Sequence, residues 1–454
     1  MRSRPQPTVS CLRPRPVAAF TPRMRSERGA PAARALVRTE AQRQWFMLAL
    51  AIILSVTVLQ RFAVPVAGSV FGLGFLVCLV GTLVCLMQGV LKVDSKRAVL
   101  YSFAVCALLS TLLVDRGGFS LLSLAMLMTL YAPFVAVLTV KDDEYLDLLD
   151  VFQRVISFVA WCGLLQFAVQ FVLSPAWMFP FDRVLPEALF IPGFNLMIPF
   201  ADGYLKSTGL WFLEPSTFSQ ALAFGLLIEL AYFRRLGRLT LYGGVYLTSF
   251  SGTGALLLFA IAPLVLLRSR SAAWVALGAL IFAALVLLRE LPMLSVFFER
   301  AAELDNVRSS GAMRLIAPYR AVSELLLADP RVLLFGVGPG QWGWGVGELD
   351  YPVLDSGWLK LLFEYGLVGA VPFMVFYFYC LFAASPDRLL SLACLLQFAF
   401  LGGYLNAFFV GFLHMILVVW PRLTRPHSRR AAPAWAAGPP EPSLAAPAVR
   451  GVGS

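Results

Sequence analysis

Runs of about 20 mostly apolar residues recur from Trp45 to Trp420, separated by short breaks that carry charge. Each run is long enough to cross ~30 Å of hydrocarbon as a helix, so the pattern predicts a polytopic, all-α integral membrane protein. Composition agrees: 59% of the residues are hydrophobic, 14% are charged and the mean hydropathy is +0.77, more apolar surface than a soluble domain can bury.

The apolar runs predict helices near 45–61, 64–91, 98–114, 118–140, 151–173 and 216–233, then 272–288, 366–383, 389–403 and 405–420. Between them, Leu239 to Leu267 is too long for one ordinary helix and holds the polar kink SFSGTG at 249–254, so it is expected to split into two short spans. That makes about 12 transmembrane helices in a membrane domain over 45–420. With the N-terminus inside, the cationic breaks at Lys92/Lys96/Arg97, Lys141, Arg234/Arg235/Arg238, Arg268/Arg270, Arg388 and Arg422 to Arg430 all fall on the cytoplasmic side. The same count sends two long segments, about 174–215 and 289–365, to the outer face. Loops of that length are uncommon without a function.

The formal charge of +11 is concentrated in terminal segments and reads as membrane orientation and anionic-lipid contact, not nucleic-acid binding. Residues 1–44, rich in Arg and Pro without a signal peptide's apolar core, read as a disordered basic cytoplasmic tail or an overlong start. Residues 421–454 read as a second disordered cytoplasmic tail, and KDDEYLDLLD at 141–150 as a solvated helix start. Six of the seven cysteines lie inside apolar spans and the seventh, Cys11, in the tail, so no outer disulfide is expected.

With only His414 and His427, a catalyst facing the outer loops must be built from Arg, Lys, Asp, Glu and Tyr, and no metal site is expected. In KSTGLWFLEPSTFSQ (206–220), Lys206 and Glu214 bracket an apolar stretch; Glu214 reads either as a charge at a helix N-terminus or as part of a charged pocket at the membrane boundary. The second outer segment carries Arg300, Arg308, Arg314 and Arg320. Apolar residues at Leu315, Ile316, Tyr319, Val322 and Leu326 predict a surface-lying amphipathic helix over about 313–327. Arginines held outside suit phosphate oxygens, or pair with the acidic residues around them, such as Glu324. FGVGPGQWGWGVGELDYP (335–352) lacks the ending of an ATP loop; Trp342, Trp344 and Tyr351 suit stacking on sugars or packing at the membrane interface. Glu348 and Asp350 alone are a weak metal signal.

In this order KSTGLWFLEPS, TSFSGTG, GAMRLIAPYR, FGVGPG and LDSGWLKLLFEYGLVG resemble the O-antigen polymerase and O-antigen ligase superfamily over roughly residues 150–412. The resemblance implies a metal-independent glycosyltransferase without a cofactor, using undecaprenyl diphosphate-linked oligosaccharide at the periplasmic face of the bacterial inner membrane. A flippase and a chain-length regulator are its implied partners. Lys206 stands where many relatives have Arg, Glu214-Pro215 matches their E-P, and Arg314 matches the arginine that grips the lipid diphosphate, with Arg308 and Arg320 beside it. Asp355 stands where the ligases have His, which leans the reading to a polymerase. Glu364, Gly366 and Gly369 match the closing E-x-G-x-x-G, with Glu364 expected to brace the loop to the next helix. The expected catalytic set is Arg314, Asp355 and Glu214. The competing readings are a ligase, a transporter of lipid-linked glycan, and a non-catalytic partner of an export machine.

Overall fold

The computed structural model describes residues 40–66, 69–114, 118–193, 199, 204–268, 287, 306, 309–354, 356–402 and 405–424. In chain order, α1 is Glu40–Thr57, β1 Ala63–Val66, β2 Ser69–Gly72, α2 Leu73–Met87, β3 Lys92–Val93, α3 Ser95–Ser110, α4 Leu121–Tyr131, β4 Ala136–Val140 and α5 Asp142–Val172. Then come α6 Pro215–Ile228, α7 Leu236–Thr248, α8 Gly252–Arg268, α9 Ser310–Leu315, α10 Ala317–Ala321, α11 Pro330–Phe335 and α12 Trp342–Gly347. The chain closes with α13 Gly357–Phe382, α14 Arg388–Phe400, α15 Phe408–His414 and β5 Pro421–Leu423.

The protein is mostly helical, as expected, but the count of 12 spans is not reproduced. Among the described residues four helical segments are long and apolar enough to cross a membrane: Ser95–Leu113, Asp142–Val172, Pro215–Phe233 and Gly357–Phe382. The other expected spans are shortened by local chemistry. Pro65 and Gly72 help turn the start of the 64–91 run into the antiparallel hairpin β1–β2, leaving 15 residues for α2. Pro133, which has no N–H to give, stops α4, and the β-branched run that follows becomes β4. The expected break in 239–267 is present: Phe250 is left-handed (φ 44°) between α7 and α8. The expected helix over 272–288 falls outside the described residues except Leu287. Helix α5 absorbs the acidic connector, with Glu144 accepting the Lys141 N–H at 2.9 Å.

Helix α13 packs on α3 and α14, α6 on α8, α7 and α5, and α1 on α2, α15 and α5. In lipid, apolar contact alone gives little drive, so close packing and interhelical hydrogen bonds, roughly 0.6–2 kcal/mol each, fix the arrangement. The hydroxyls of Tyr131, Tyr145 and Tyr242 donate across the bundle to the carbonyls of Leu405 (3.1 Å), Leu417 (3.0 Å) and Gln153 (2.8 Å).

The cationic breaks gather at one end. There β3 pairs antiparallel with β4 (Lys92 opposite Val137), and β4 pairs parallel with β5 (Leu138 opposite Pro421). Buried Arg97 donates to the carbonyls of Ala136 and Val419, both at 2.9 Å, closing two chain ends. Arg422 meets Asp94 at 2.7 Å, Arg268 meets Asp387 at 2.9 Å, and Arg235 joins Asp150 (2.5 Å) to the fully buried Glu229 (2.5 Å). Burial would raise the Asp94 carboxyl, but the hydrogen bond and charge of Arg422 and the Arg97 amide hold it below its ordinary range.

Candidate functional site

At the opposite end, the segment 205–214 is shaped by amides of α5. Gln166 Oε1 accepts from Ser207 Oγ (3.0 Å), Thr208 N (2.9 Å) and Leu210 N (3.0 Å), while its Nε2 donates to Met178 O (3.0 Å). One buried side chain thereby satisfies a loop that has no secondary structure to do so. Arg61, 2% exposed, reaches Thr208 Oγ1 at 3.1 Å and lies 4.5 Å from the Phe179 ring centroid. Gly209 is left-handed (φ 64°), and a Cβ there would lie 2.5 Å from the Phe218 ring. The fully buried Phe218 fills the space between Gly209 and Gly163.

Lys206 is half-buried between Leu205, held by Gln170, and Ser207, whose N–H donates to Thr248 O at 3.0 Å. Glu214 is the residue before α6, with Pro215 at the first helical position. Its N–H donates to Thr217 Oγ1 (3.4 Å) and its Oε2 accepts from Ser216 Oγ (2.6 Å). The helix-start reading of Glu214 is therefore present in the geometry.

The second locus is an interlock of two glycine turns. Val337 N–H and Gly338 N–H donate to Phe363 O (2.8 Å) and Glu364 O (2.9 Å) of α13. Helix α13 is broken there by Gly366 (φ 59°, ψ −172°), and a Cβ on it would lie 2.3 Å from Phe335 N. A Cβ on Gly336 would lie 2.4 Å from Glu364 C and Tyr365 N. FGVGPG and EYG are thus one backbone-on-backbone contact. The expected brace at Glu364 is made by its carbonyl, while its side chain is fully buried.

Leu354 N–H donates to Met313 O (3.1 Å), which brings α9 and half-buried Arg314 alongside the entry to α13. The amphipathic helix is interrupted and turned from its expected face. Pro318 lacks the N–H for a continuous helix, and Ala317, Ala321 and Leu326 are buried against Tyr351, Val353, Leu359 and Phe363 while Ile316 (43%) and Tyr319 (59%) are exposed.

Arg320 is exposed: its guanidinium carbon lies 4.2 Å from the Tyr351 ring centroid and its Nη2 3.9 Å from Glu324. Tyr351 is buried and donates to Glu324 at 2.9 Å; burial, together with that carboxylate, pushes its hydroxyl up to about 12. Trp342 packs edge-on against Phe363 (5.6 Å), whereas Trp344 is 62% exposed. Tyr351 and Trp342 are therefore built into the loop, and Trp344 alone of the three aromatics presents most of its surface. Arg300, Arg308 and Asp355 lie outside the described residues. Among the described residues no three His, Cys, Asp or Glu side chains group as metal ligands.

A buried polar chain that the sequence reading missed links α6, α14, α15 and α13. Gln220, less than two turns into α6, accepts from Gln397 Nε2 (2.8 Å); Gln397 Oε1 meets His414 Nε2 (2.9 Å), and His414 Nδ1 meets the Tyr377 hydroxyl (2.7 Å). Because Gln397 presents its oxygen to His414, Nε2 carries the proton and Nδ1 accepts from Tyr377. The next residue, Phe398, abuts the start of α13: a Cβ on Gly357 would lie 2.6 Å from Phe398 O. A cavity of about 20 Å³, room for one water, lies among Thr57, Gln60, Thr217 and Gln397. The available signal was an amide or imidazole inside an apolar run, at Gln166, Gln220, Gln397 and His414. No protein-family model matches the chain, and no curated protein is significantly similar to it in sequence.

Proposed function

We propose that the protein is a membrane glycosyltransferase that polymerises undecaprenyl diphosphate-linked oligosaccharide repeat units into O-antigen, capsule or exopolysaccharide, facing the periplasm from the bacterial inner membrane. The observation that supports it most is the link from α6, which starts at Glu214-Pro215, through Gln220 and Gln397 to α14, and from Phe398 of α14 to Gly357 at the start of α13, the helix that carries the FGVGPG–EYG interlock. In this orientation the end where the cationic breaks gather is cytoplasmic and both loops are periplasmic.

In the reaction an acceptor hydroxyl attacks the anomeric carbon of the lipid-linked glycan. A new C–O bond forms, the bond to the diphosphate oxygen breaks, and the electron pair leaves with the diphosphate. Arg314 and Lys206 stabilise that growing charge, with Arg308, close to Arg314 in the sequence, as a further cation. The hydroxyl proton passes to Asp355 or to the carboxylate of Glu214. Arg320 stands outside this set because Glu324 and the Tyr351 ring hold it at the surface. Asp355 in place of the ligases' His favours a polymerase over a ligase.

The test is glycan size on gels from a deletion strain complemented with wild type, Arg314→Ala, Glu214→Gln or Asp355→Asn, with abundance checked by blot. Loss of long chains at normal abundance is expected for Arg314→Ala and for at least one carboxylate variant. Full-length polymer from all three would refute the assignment. One observation favours a second reading, transport of the lipid-linked glycan: the buried Gln220–Gln397–His414–Tyr377 chain puts an ionisable group deep in the bundle. Unpolymerised donor accumulating on the cytoplasmic leaflet of the deletion strain would select it.

A further inference from the structure

Helix α5 stops at Val172, but the apolar sequence it belongs to does not: no charged residue stands between Arg154 and Asp182. Arg154, exposed and paired with Asp150 at 2.9 Å, marks the cationic end of the helix. From there to Val172 the helix rises about 27 Å, so a ~30 Å hydrocarbon layer reaches the chain beyond it, and any tilt of α5 carries that chain deeper. The chain also turns back. Gln166 lies about 9 Å of rise below Val172, yet its Nε2 donates to Met178 O at 3.0 Å, and the turn Pro175–Trp177 packs on α5.

Residues 174–190 have two faces. Inward, Met178, Phe179 and Phe190 are buried, and the Phe181 ring centroid lies 5.2 Å from that of Trp211 in the 205–214 segment. Outward, Trp177 (46%), Val184 (77%) and Leu189 (39%) are exposed, and exposed Phe171, Val172 and Leu173 precede them at the end of α5. The backbone suits an apolar setting. Pro175, Pro180 and Pro186 have no N–H to satisfy, and the amides of Trp177, Met178, Val184, Leu185, Leu189 and Phe190 donate to carbonyls within the segment. Arg183 lies over Trp177, its Cζ 4.1 Å from the ring centroid, a pairing that suits the headgroup boundary. With Asp182 and Glu187 against this one arginine, the segment carries net negative charge, so attraction to anionic lipid does not place it.

We propose that residues 174–190 form a platform in the membrane interface away from the cationic end, with Trp177, Val184 and Leu189 against phospholipid acyl chains. The occupant is lipid because this face continues the open face of α5 at a depth where backbone and side chains are both prepared for it. Through Phe181 and Trp211 the platform sets the level of the segment that carries Lys206 and Glu214. The proposal stands independently of the transferase reading.

The experiment uses the full-length protein reconstituted in phosphatidylcholine vesicles. Photoreactive benzoylphenylalanine takes the place of Val184, of Leu189, of Leu165 on the open face of α5, or of Asp143 in the exposed acidic turn at the cationic end. These side chains are exposed, so each variant is expected to retain the wild-type thermal midpoint. After irradiation, intact mass and gel mobility show what each position touches. Phospholipid adducts are expected at Val184 and Leu189 within about threefold of the Leu165 yield, and at least about tenfold fewer at Asp143. Phosphatidylglycerol added to the vesicles is expected to leave these yields unchanged. Lipid adducts at Leu165 with none at Val184 and Leu189 overturn the proposal. Cross-linked pairs of chains at Val184 in place of lipid assign the face to a second copy and overturn it, as do adducts that form only with phosphatidylglycerol.

Discussion

Replacing Gly366 by alanine puts a methyl group 2.3 Å from Phe335 N and 2.4 Å from Gly336 N and Leu334 C, all backbone atoms that no rotamer change can move aside. The backbone at φ 59°, ψ −172° is itself a region that side chains avoid, costing about 1–3 kcal/mol. Relief of the overlap means separating the FGVGPG turn from α13, which breaks the Val337–Phe363 (2.8 Å) and Gly338–Glu364 (2.9 Å) hydrogen bonds, about 1 kcal/mol each. Together the substitution destabilises by about 3–5 kcal/mol, a large fraction of the stability of an ordinary domain. Membrane abundance by blot and thermal unfolding of the detergent-purified protein measure it. The control is Gly343→Ala, where nothing lies within 4 Å of the new Cβ, and it is expected to leave both readings unchanged. Wild-type abundance and an unshifted unfolding transition for Gly366→Ala would refute the interlock.

Phe218→Ala empties the space between Gly163 and Gly209 and is expected to cost about 3–5 kcal/mol, read as lower abundance and earlier thermal unfolding. The depressed Asp94 carboxyl gives a pH dependence: its stabilising contact with Arg422 is present above the unfolded-state pKa near ~3.9 and is lost as pH falls through the lower folded-state value. The difference in thermal midpoint between wild type and Asp94→Asn should therefore be constant near neutrality and close on acidification below about pH 4; a gap that persists there contradicts the assignment. For orientation, a reporter enzyme active only outside the cytoplasm should be active when fused near Asp305 and inactive near Arg235. The reverse pattern would overturn the placement of both loops.

Hydropathy made the helical class legible because apolar run length is a property of composition alone. It failed on span count, since Pro65 and Pro133 act on hydrogen bonding and leave the apolar average untouched: a hairpin and a strand of Val, Ala and Phe score like a helix. The segment at 313–327 failed for a related reason. Its periodicity assumed one continuous helix, whereas Pro318 interrupts it and buries Ala317 and Ala321 in place of Ile316 and Tyr319.

Among the candidate site residues, those whose role depends on charge at a loop were visible, and those whose role depends on shape or distant pairing were not. Lys206, Glu214 and Arg314 stand out in an apolar chain, but whether an arginine is available depends on neighbours far along the sequence. Arg320 and Arg314 read alike until Tyr351 and Glu324, 31 and 4 residues away, pin the first at the surface. The glycines show the same limit from the other side. Gly336 and Gly366 look like loop punctuation, yet each is required by the other's backbone. The chain Gln220–Gln397–His414–Tyr377 draws one residue from each of four helices, and its donor order is fixed only when all four are in place. Each member alone is an ordinary polar residue in an apolar run; their joint burial ties α6, which Glu214 precedes, to the corner where α14 meets the start of α13.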